Sequence, residues 1–268
     1  MNSIISVRKN YDSSRALRIR KNVNKKILRP KINIKKQVYK SLELKGQEKI
    51  LDVGCGFGDI LEYIHEKRPG CKLYGIDTSR AMIAETRGIK AIFKVADAQK
   101  LPFKQSTFDI VIAKHMLYHV ANIKVALNEM HKVLKPKGRL VITLNGVPDK
   151  TQSQIEYYRK MIGKIIGSRL IPTSARINTE NYDTFIDNAK FRKIKEIKFY
   201  TYGNIKNSGL LLDYLSSFKE FFMPIPKDED WRKALNEIKN NIDKQIQTKG
   251  SVRITRKSGL FILEKIGG

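Results

Sequence analysis

Acidic residues and cysteine are scarce in this 268-residue sequence, which holds 26 Asp and Glu against 53 Lys and Arg, 2 cysteines, 4 histidines and 1 tryptophan. Two cysteines, Cys55 and Cys71, cannot build a disulfide framework, which sets aside the small secreted scaffolds. The His and Cys positions lack zinc-ligand spacing, so no metal site is expected. No segment approaches the roughly 20 apolar residues of a membrane-spanning helix. The start, Met1 to Arg8, has too short an apolar stretch for a signal peptide. These absences predict a soluble, cytoplasmic protein with no membrane association.

What is present is a globular composition, 41% hydrophobic, in a chain long enough for one α/β domain with additions or at most two small domains. The formal net charge of +27 attracts polyanions: RNA, DNA, acidic lipid or an anionic small molecule. A lysine- and isoleucine-rich composition, as an AT-rich genome gives, also accounts for Lys over Arg, though less well for so few acids. Charge alone names no reaction.

Three regions follow from the patterning. Residues 1–46 are strongly basic, with Asp12 and Glu43 their only acids up to residue 45. Apolar recurrence from Ala16 to Leu28 predicts an amphipathic helix limited by Pro30, and a second helix is expected over Ile34 to Leu42, together forming a helical cap. Residues 47–146 alternate strands and helices. Strands are predicted at 49–53, 72–77, 92–96, 108–113 and 139–144, with helices at 59–66, 79–86 and 120–134. That alternation predicts a doubly wound α/β sheet of Rossmann-like type. Residues 147–268 read as strands completing the sheet at 194–200 and 251–265, the latter broken at Ser258-Gly259. Inserted helices at 155–166, 182–189, 208–222 and 230–247 are expected to form a lid over the substrate.

The chemistry gathers where the first strand meets Gly54-Cys55-Gly56-Phe57-Gly58. Glycines there let a ligand approach the backbone and permit positive φ, and open α/β sheets bind ligands at the carboxyl ends of their strands. A dinucleotide site would want a glycine or alanine where Asp59 stands. Asp59 would also oppose a pyrophosphate at the helix start. S-adenosylmethionine, cationic at sulfur and carrying an ammonium, suits nearby acids better. Asp77, ending the second strand, can accept from two adjacent ribose hydroxyls.

From Ile50 to Gly58 the residues resemble the first motif of the class I S-adenosylmethionine-dependent methyltransferases, with a type 11-like domain. Tyr74 to Ser79 resembles the second motif and Ala96 to Phe103 the third. Phe108 to Val111 with Tyr118-His119-Val120 is similar to the fourth strand and its following helix, and Glu129 to Gly138 to the approach to strand five. Ser258 to Ile262 is similar to the family's last strand. The resemblance implies a seven-stranded sheet with the last strand antiparallel. It implies that Asp52, Gly54, Cys55, Gly56 and Gly58 hold the methionine end of the donor, Asp77 the ribose, and Asp97 and Ala98 the adenine, with Thr78 also on the cofactor. Tyr11-Asp12 resembles a Tyr-Asp pair of small-molecule members, which puts Tyr11 on the donor.

Methyl transfer is a displacement at an already activated methyl, so the protein supplies alignment and, for some acceptors, a base. His115 and His119, just after strand four, are the candidate bases, although His119 can equally pack at a helix start. Lys114 is assigned to the cofactor side of the site, with an anionic acceptor or plain solvent as its other readings. Cys55 and Cys71 are not placed as 5-methylcytosine nucleophiles, and no Asn-Pro-Pro-Tyr-type tetrapeptide follows strand four. The primary expectation is methylation of oxygen or nitrogen on a small molecule. An RNA methyltransferase using the basic surface, with Tyr157, Tyr158, Tyr200 and Tyr202 among cations, is the second reading. A cofactor-binding module without turnover is the third.

Overall fold

The computed structural model describes residues 15–147 and 154–267. Tyr11 and Asp12 lie outside them. The chain divides into two compact units, one drawn from Met1–Ile32, Gly146–Ala175 and Phe199–Lys257, the other from Asn33–Asn145, Arg176–Lys198 and Ser258–Gly268.

The second unit carries the strand–helix alternation. Helix α2 (Ile34–Leu42) opens at Asn33, whose side chain accepts from Lys36 N–H and so caps the first turn. Then come β1 (Lys49–Val53), α3 (Asp59–Lys67), β2 (Lys72–Asp77), α4 (Arg80–Ala84), β3 (Ile92–Val95), β4 (Phe108–Lys114), α5 (Ile123–Val133) and β5 (Leu134–Asn145). With β7 (Phe191–Ile205) and β9 (Val252–Lys265) they give a seven-stranded sheet ordered β3-β2-β1-β4-β5-β9-β7. The first five strands pair in parallel, whereas β9 runs antiparallel to β5. This is the doubly wound, Rossmann-like order, and the last strand is antiparallel as the resemblance implied. Central strands are apolar on both faces because helices cover both: Ile110 to Ala113 and Leu140 to Leu144 are all buried. Asp109 ties three strands together at their start, accepting from Lys49 N–H (2.8 Å) and from Lys135 Nζ (2.6 Å).

Helix α1 (Arg15–Ile27), α6 (Gln154–Ile165), α8 (Ser208–Ser216) and α9 (Asp228–Lys249) belong to the first unit, as does the small ladder of β6 (Ile171–Pro172) with β8 (Phe222–Met223). Its core follows helical spacing: Trp231, Ala234, Ile238 and Ile242 form one stripe of α9, in one cluster with Tyr158 and Ile162 of α6. Tyr158 keeps its hydroxyl satisfied by donating to Gln245 Oε1 at 2.7 Å. No described helix is long and apolar enough to cross a membrane.

Several boundaries differ from the sequence reading. The helix after β4 starts at Ile123, capped by Asn122, and a short 3-10 turn occupies Leu117–His119. The segment 182–189 is one short helix, α7 (Asp183–Ile186), followed by a 3-10 turn, and α8 stops at Ser216. Ser258-Gly259 does not break β9. A Cβ on Gly259 would come within 2.6 Å of the Phe261 ring and 2.8 Å of Thr179 Cγ2, so this glycine answers close packing inside a strand rather than a turn.

Candidate functional site

The chain leaves β1 through three left-handed glycines: Gly54 (φ 70°), Gly56 (54°) and Gly58 (73°). Gly54 and Cys55 N–H both donate to Ile76 O at the end of β2, at 2.8 and 2.9 Å, which folds the loop over the two central strands. The three glycines do different work. A Cβ on Gly54 would stand 2.8 Å from Met116 Cβ, and one on Gly58 2.9 Å from Ile89 and Phe93. Around Gly56 no atom lies within 4 Å of that position. Two glycines therefore admit packing from below, while Gly56 presents the bare, open side of the loop.

Beneath the loop lie the acids. Asp52 is completely buried, and neither carboxylate oxygen has a hydrogen-bond partner among the described residues. Burial pushes its carboxyl up to about 8; the Lys114 charge works against that, and Asp59 and Asp77 add to it. Asp77 is hydrogen-bonded instead, accepting from Gly56 N–H (3.0 Å) and Ser79 N–H (2.9 Å) with one oxygen each. Burial raises its carboxyl too, and the backbone donors partly offset this. Thr78 is exposed beside it. Burial of Cys55 pushes its thiol well above the ordinary range, so it stays protonated inside the loop.

Register fixes the next group. Asp52 pairs with Ile112, and Lys114 with Thr143. Since strand side chains alternate, Asp52, Ile112, Lys114 and Thr143 share one sheet face toward the strands' carboxyl ends. Lys114 Nζ reaches Asp59 Oδ1 at 3.2 Å, and the acids hold its ammonium above the ordinary value despite burial. Asp59 is therefore balanced by Lys114, and its repulsion of a pyrophosphate is weaker than the bare sequence suggests.

The segment after β4 turns sharply at His115, which has φ 54° and donates its N–H to Thr143 O. A left-handed histidine is uncommon and persists where surrounding contacts enforce it. Met116 then packs under Gly54, and the Tyr118 and His119 rings meet edge-on at 4.4 Å. Asn145 Nδ2 donates to the Tyr118 hydroxyl at 3.2 Å. Two side chains hold this segment. Gln99 donates to Asp97 Oδ1 and accepts from Asn122 N–H at 2.9 Å, linking the loop after β3 to the start of α5. Arg176 donates to the carbonyls of Tyr118, Val120 and Ala121 at 3.3, 2.6 and 2.7 Å. Burial lowers the Arg176 guanidinium's value only from one that leaves it a cation.

Asp52, the glycine loop, Asp77, Asp97, buried Ala98, Lys114, His115 and His119 thus all sit at or just beyond the carboxyl ends of β1 to β4. Sequence reasoning missed Arg176 and Thr143. Arg176 lies far along the chain in no motif, and Thr143, buried with an unpartnered hydroxyl, reads there as an ordinary strand residue. Among the described residues no cluster of His, Cys, Asp or Glu could hold a metal ion.

Residues 51–142 match the family described as "Methyltransferase domain". The chain carries a class I, S-adenosylmethionine-dependent methyltransferase domain. The demethylmenaquinone methyltransferase of Thermus thermophilus is 30% identical to it over 147 residues, covering 53% of this chain and 64% of that protein. The sterol 4-C-methyltransferase strm-1 of Caenorhabditis elegans is 32% identical over 133 residues, covering 46% and 39%. The alignments thus span less than two thirds of these relatives' own lengths. In fold, this methyltransferase domain and its additions resemble a crystal structure from Bacillus halodurans C-125, with TM-score 0.62, 18% identity, and 87% and 99% of the two chains covered. The cyclase SpnF shares the fold at TM-score 0.57 and 18% identity, covering 88% and 80%.

Proposed function

We propose that the chain is an S-adenosylmethionine-dependent methyltransferase acting on a small-molecule acceptor. The observation that carries the reading is the buried, unpartnered Asp52 carboxylate behind a loop whose middle glycine is open. An unpaired buried carboxylate is costly, and a cationic ligand on the loop would relieve it. Being wholly buried, with its carboxyl raised to about 8, Asp52 would give up its proton as a cation binds in front of it and act from behind the loop rather than as a contact. Gly56 offers the approach, the Asp77 carboxylate would accept from a ribose diol, and Asp97 with Ala98 would flank the adenine. Lys114 fixes Asp59 at the helix start and is available to the donor's carboxylate.

When bound, the donor supplies an activated methyl group. The chain's own residues do the rest. Met116 supports the loop from below, and the clamp of Arg176 and Gln99 orients the segment carrying His115 and His119. Either histidine would take a proton from the acceptor, and Tyr118 with Asn145 would hold acceptor polar groups. The reading covers oxygen and nitrogen acceptors, and relatives described as C-methyltransferases extend it to carbon. The small-molecule relatives favour such an acceptor over RNA. That the cyclase SpnF shares the fold is the reason activity must be tested, since a fold does not fix a reaction.

A labelled-methyl transfer assay against small-molecule extract and against total RNA tests the proposal. Label entering a small molecule supports it. Label entering only RNA would replace the acceptor, and no label in either pool, with donor bound, would leave the non-catalytic reading.

A further inference from the structure

The first unit carries an exposed face on β7. On β7, side chains alternate: Phe199, Gly203 and Ile205 are buried, while Tyr200 and Tyr202 point outward, 61% and 48% exposed. Two residues apart on a strand, such rings stand about 6.5–7 Å from each other. Cations from the neighbouring β9 lie over both, Arg253 at 5.0 Å from the Tyr202 centroid and Lys257 Nζ at 5.8 Å from that of Tyr200. The strand's backbone edge is already taken at this point, since Arg29 and Tyr202 exchange N–H to O bonds of 2.7 and 2.9 Å. Another strand therefore cannot add there, and what remains available is the face.

The segments that build that face carry charge of one sign. Residues 15–32, 199–207 and 250–257 contain no Asp or Glu. Lys25, Arg29 and Lys31 are exposed on the segment that meets Tyr202. Desolvation, with the Arg29 and Lys25 charges adding to it, holds Lys31 below its usual value. Among the described residues of these three stretches the two tyrosines are the only exposed large apolar side chains.

We propose that this tyrosine and cation face docks single-stranded RNA. Paired rings at nucleotide spacing with cations beside them supply stacking and phosphate neutralisation together, the two parts of single-strand binding. An anionic lipid surface would use the charge but find no aliphatic side chain to insert. The proposal concerns docking and holds whether or not the acceptor is a small molecule.

The test is fluorescence anisotropy of a labelled oligouridylate with the full chain at several salt concentrations, beside an RNA duplex and phosphatidylglycerol-containing vesicles. Wild type should bind the single strand, with affinity falling steeply as salt rises. The double variant Tyr200→Ala/Tyr202→Ala should weaken binding at least ~10-fold at unchanged salt slope, because it removes rings and no charge. The Tyr200→Phe/Tyr202→Phe variant should stay within about 3-fold, and Arg253→Gln should flatten the slope by about one contact. Thermal melts confirm that the variants fold. Unchanged binding by the alanine variant, equal affinity for duplex, binding to vesicles alone, or no binding at low salt would each overturn the proposal.

Discussion

At single-residue scale, Asp52 carries the cost of a fully buried carboxyl group that has no hydrogen-bond partner among the described residues. Its carboxyl is raised from about 4 to about 8 by burial. The folded state therefore keeps a proton that the unfolded chain has lost, and stability falls as pH rises across that window. Below it both states are protonated, and above it the penalty is constant. Asp52→Asn removes the charge and keeps the shape. The ligand-free variant should match wild type near pH 4 and become more stable by on the order of 5 kcal/mol near pH 9. Thermal melts across pH check this, and a difference that stays flat with pH would contradict it. Tyr11, by contrast, stands as a sequence expectation outside the described residues.

At the scale of elements, the parallel strands and the glycine loop were legible because their signals are local. Lys49 to Val53 and Phe108 to Ala113 are apolar runs that only a strand covered on both faces accommodates. The glycines after Val53 announce a turn whatever else the chain does. Boundaries set by tertiary contact were not legible. Ser258-Gly259 looks like a break in isolation, and its reason is the ring of Phe261 with Thr179 against it. The start of α5 depends on Asn122 as a cap, and on the Gln99 and Arg176 contacts on either side of it. Arg176 lies more than fifty positions from the carbonyls it binds, so no motif could reveal it. Arg176→Met leaves three carbonyls without that donor and should cost about 1–3 kcal/mol. Hydrogen exchange should quicken at amides 117–121 and stay slow in β4 and β5. Unchanged exchange at 117–121 would show that the clamp is dispensable.

At the scale of the whole molecule, the net charge of +27 was visible at once, but its arrangement was not. Folding alternates β7 so that Tyr200 and Tyr202 face outward beneath Arg253 and Lys257, whereas Tyr158, read beside them as a stacking candidate, is fully buried in the first unit's core. The domain's motif order, from Asp52 through Asp97 to Gly138, carried the family; Asp52, Asp77 and Asp97 sit at strand carboxyl ends that the doubly wound sheet brings together, whereas Gly138 lies within β5. The acceptor is not written there.

The central claim is that Asp52, the open Gly56 and Asp77 form a donor site, and calorimetric titration with S-adenosylhomocysteine tests it most directly. The account predicts one-to-one binding to wild type and a loss of at least ~10-fold for Asp77→Ala, which removes a charged hydrogen-bond acceptor while the fold persists by circular dichroism. Absence of binding by folded wild type, or equal binding by Asp77→Ala, would contradict it.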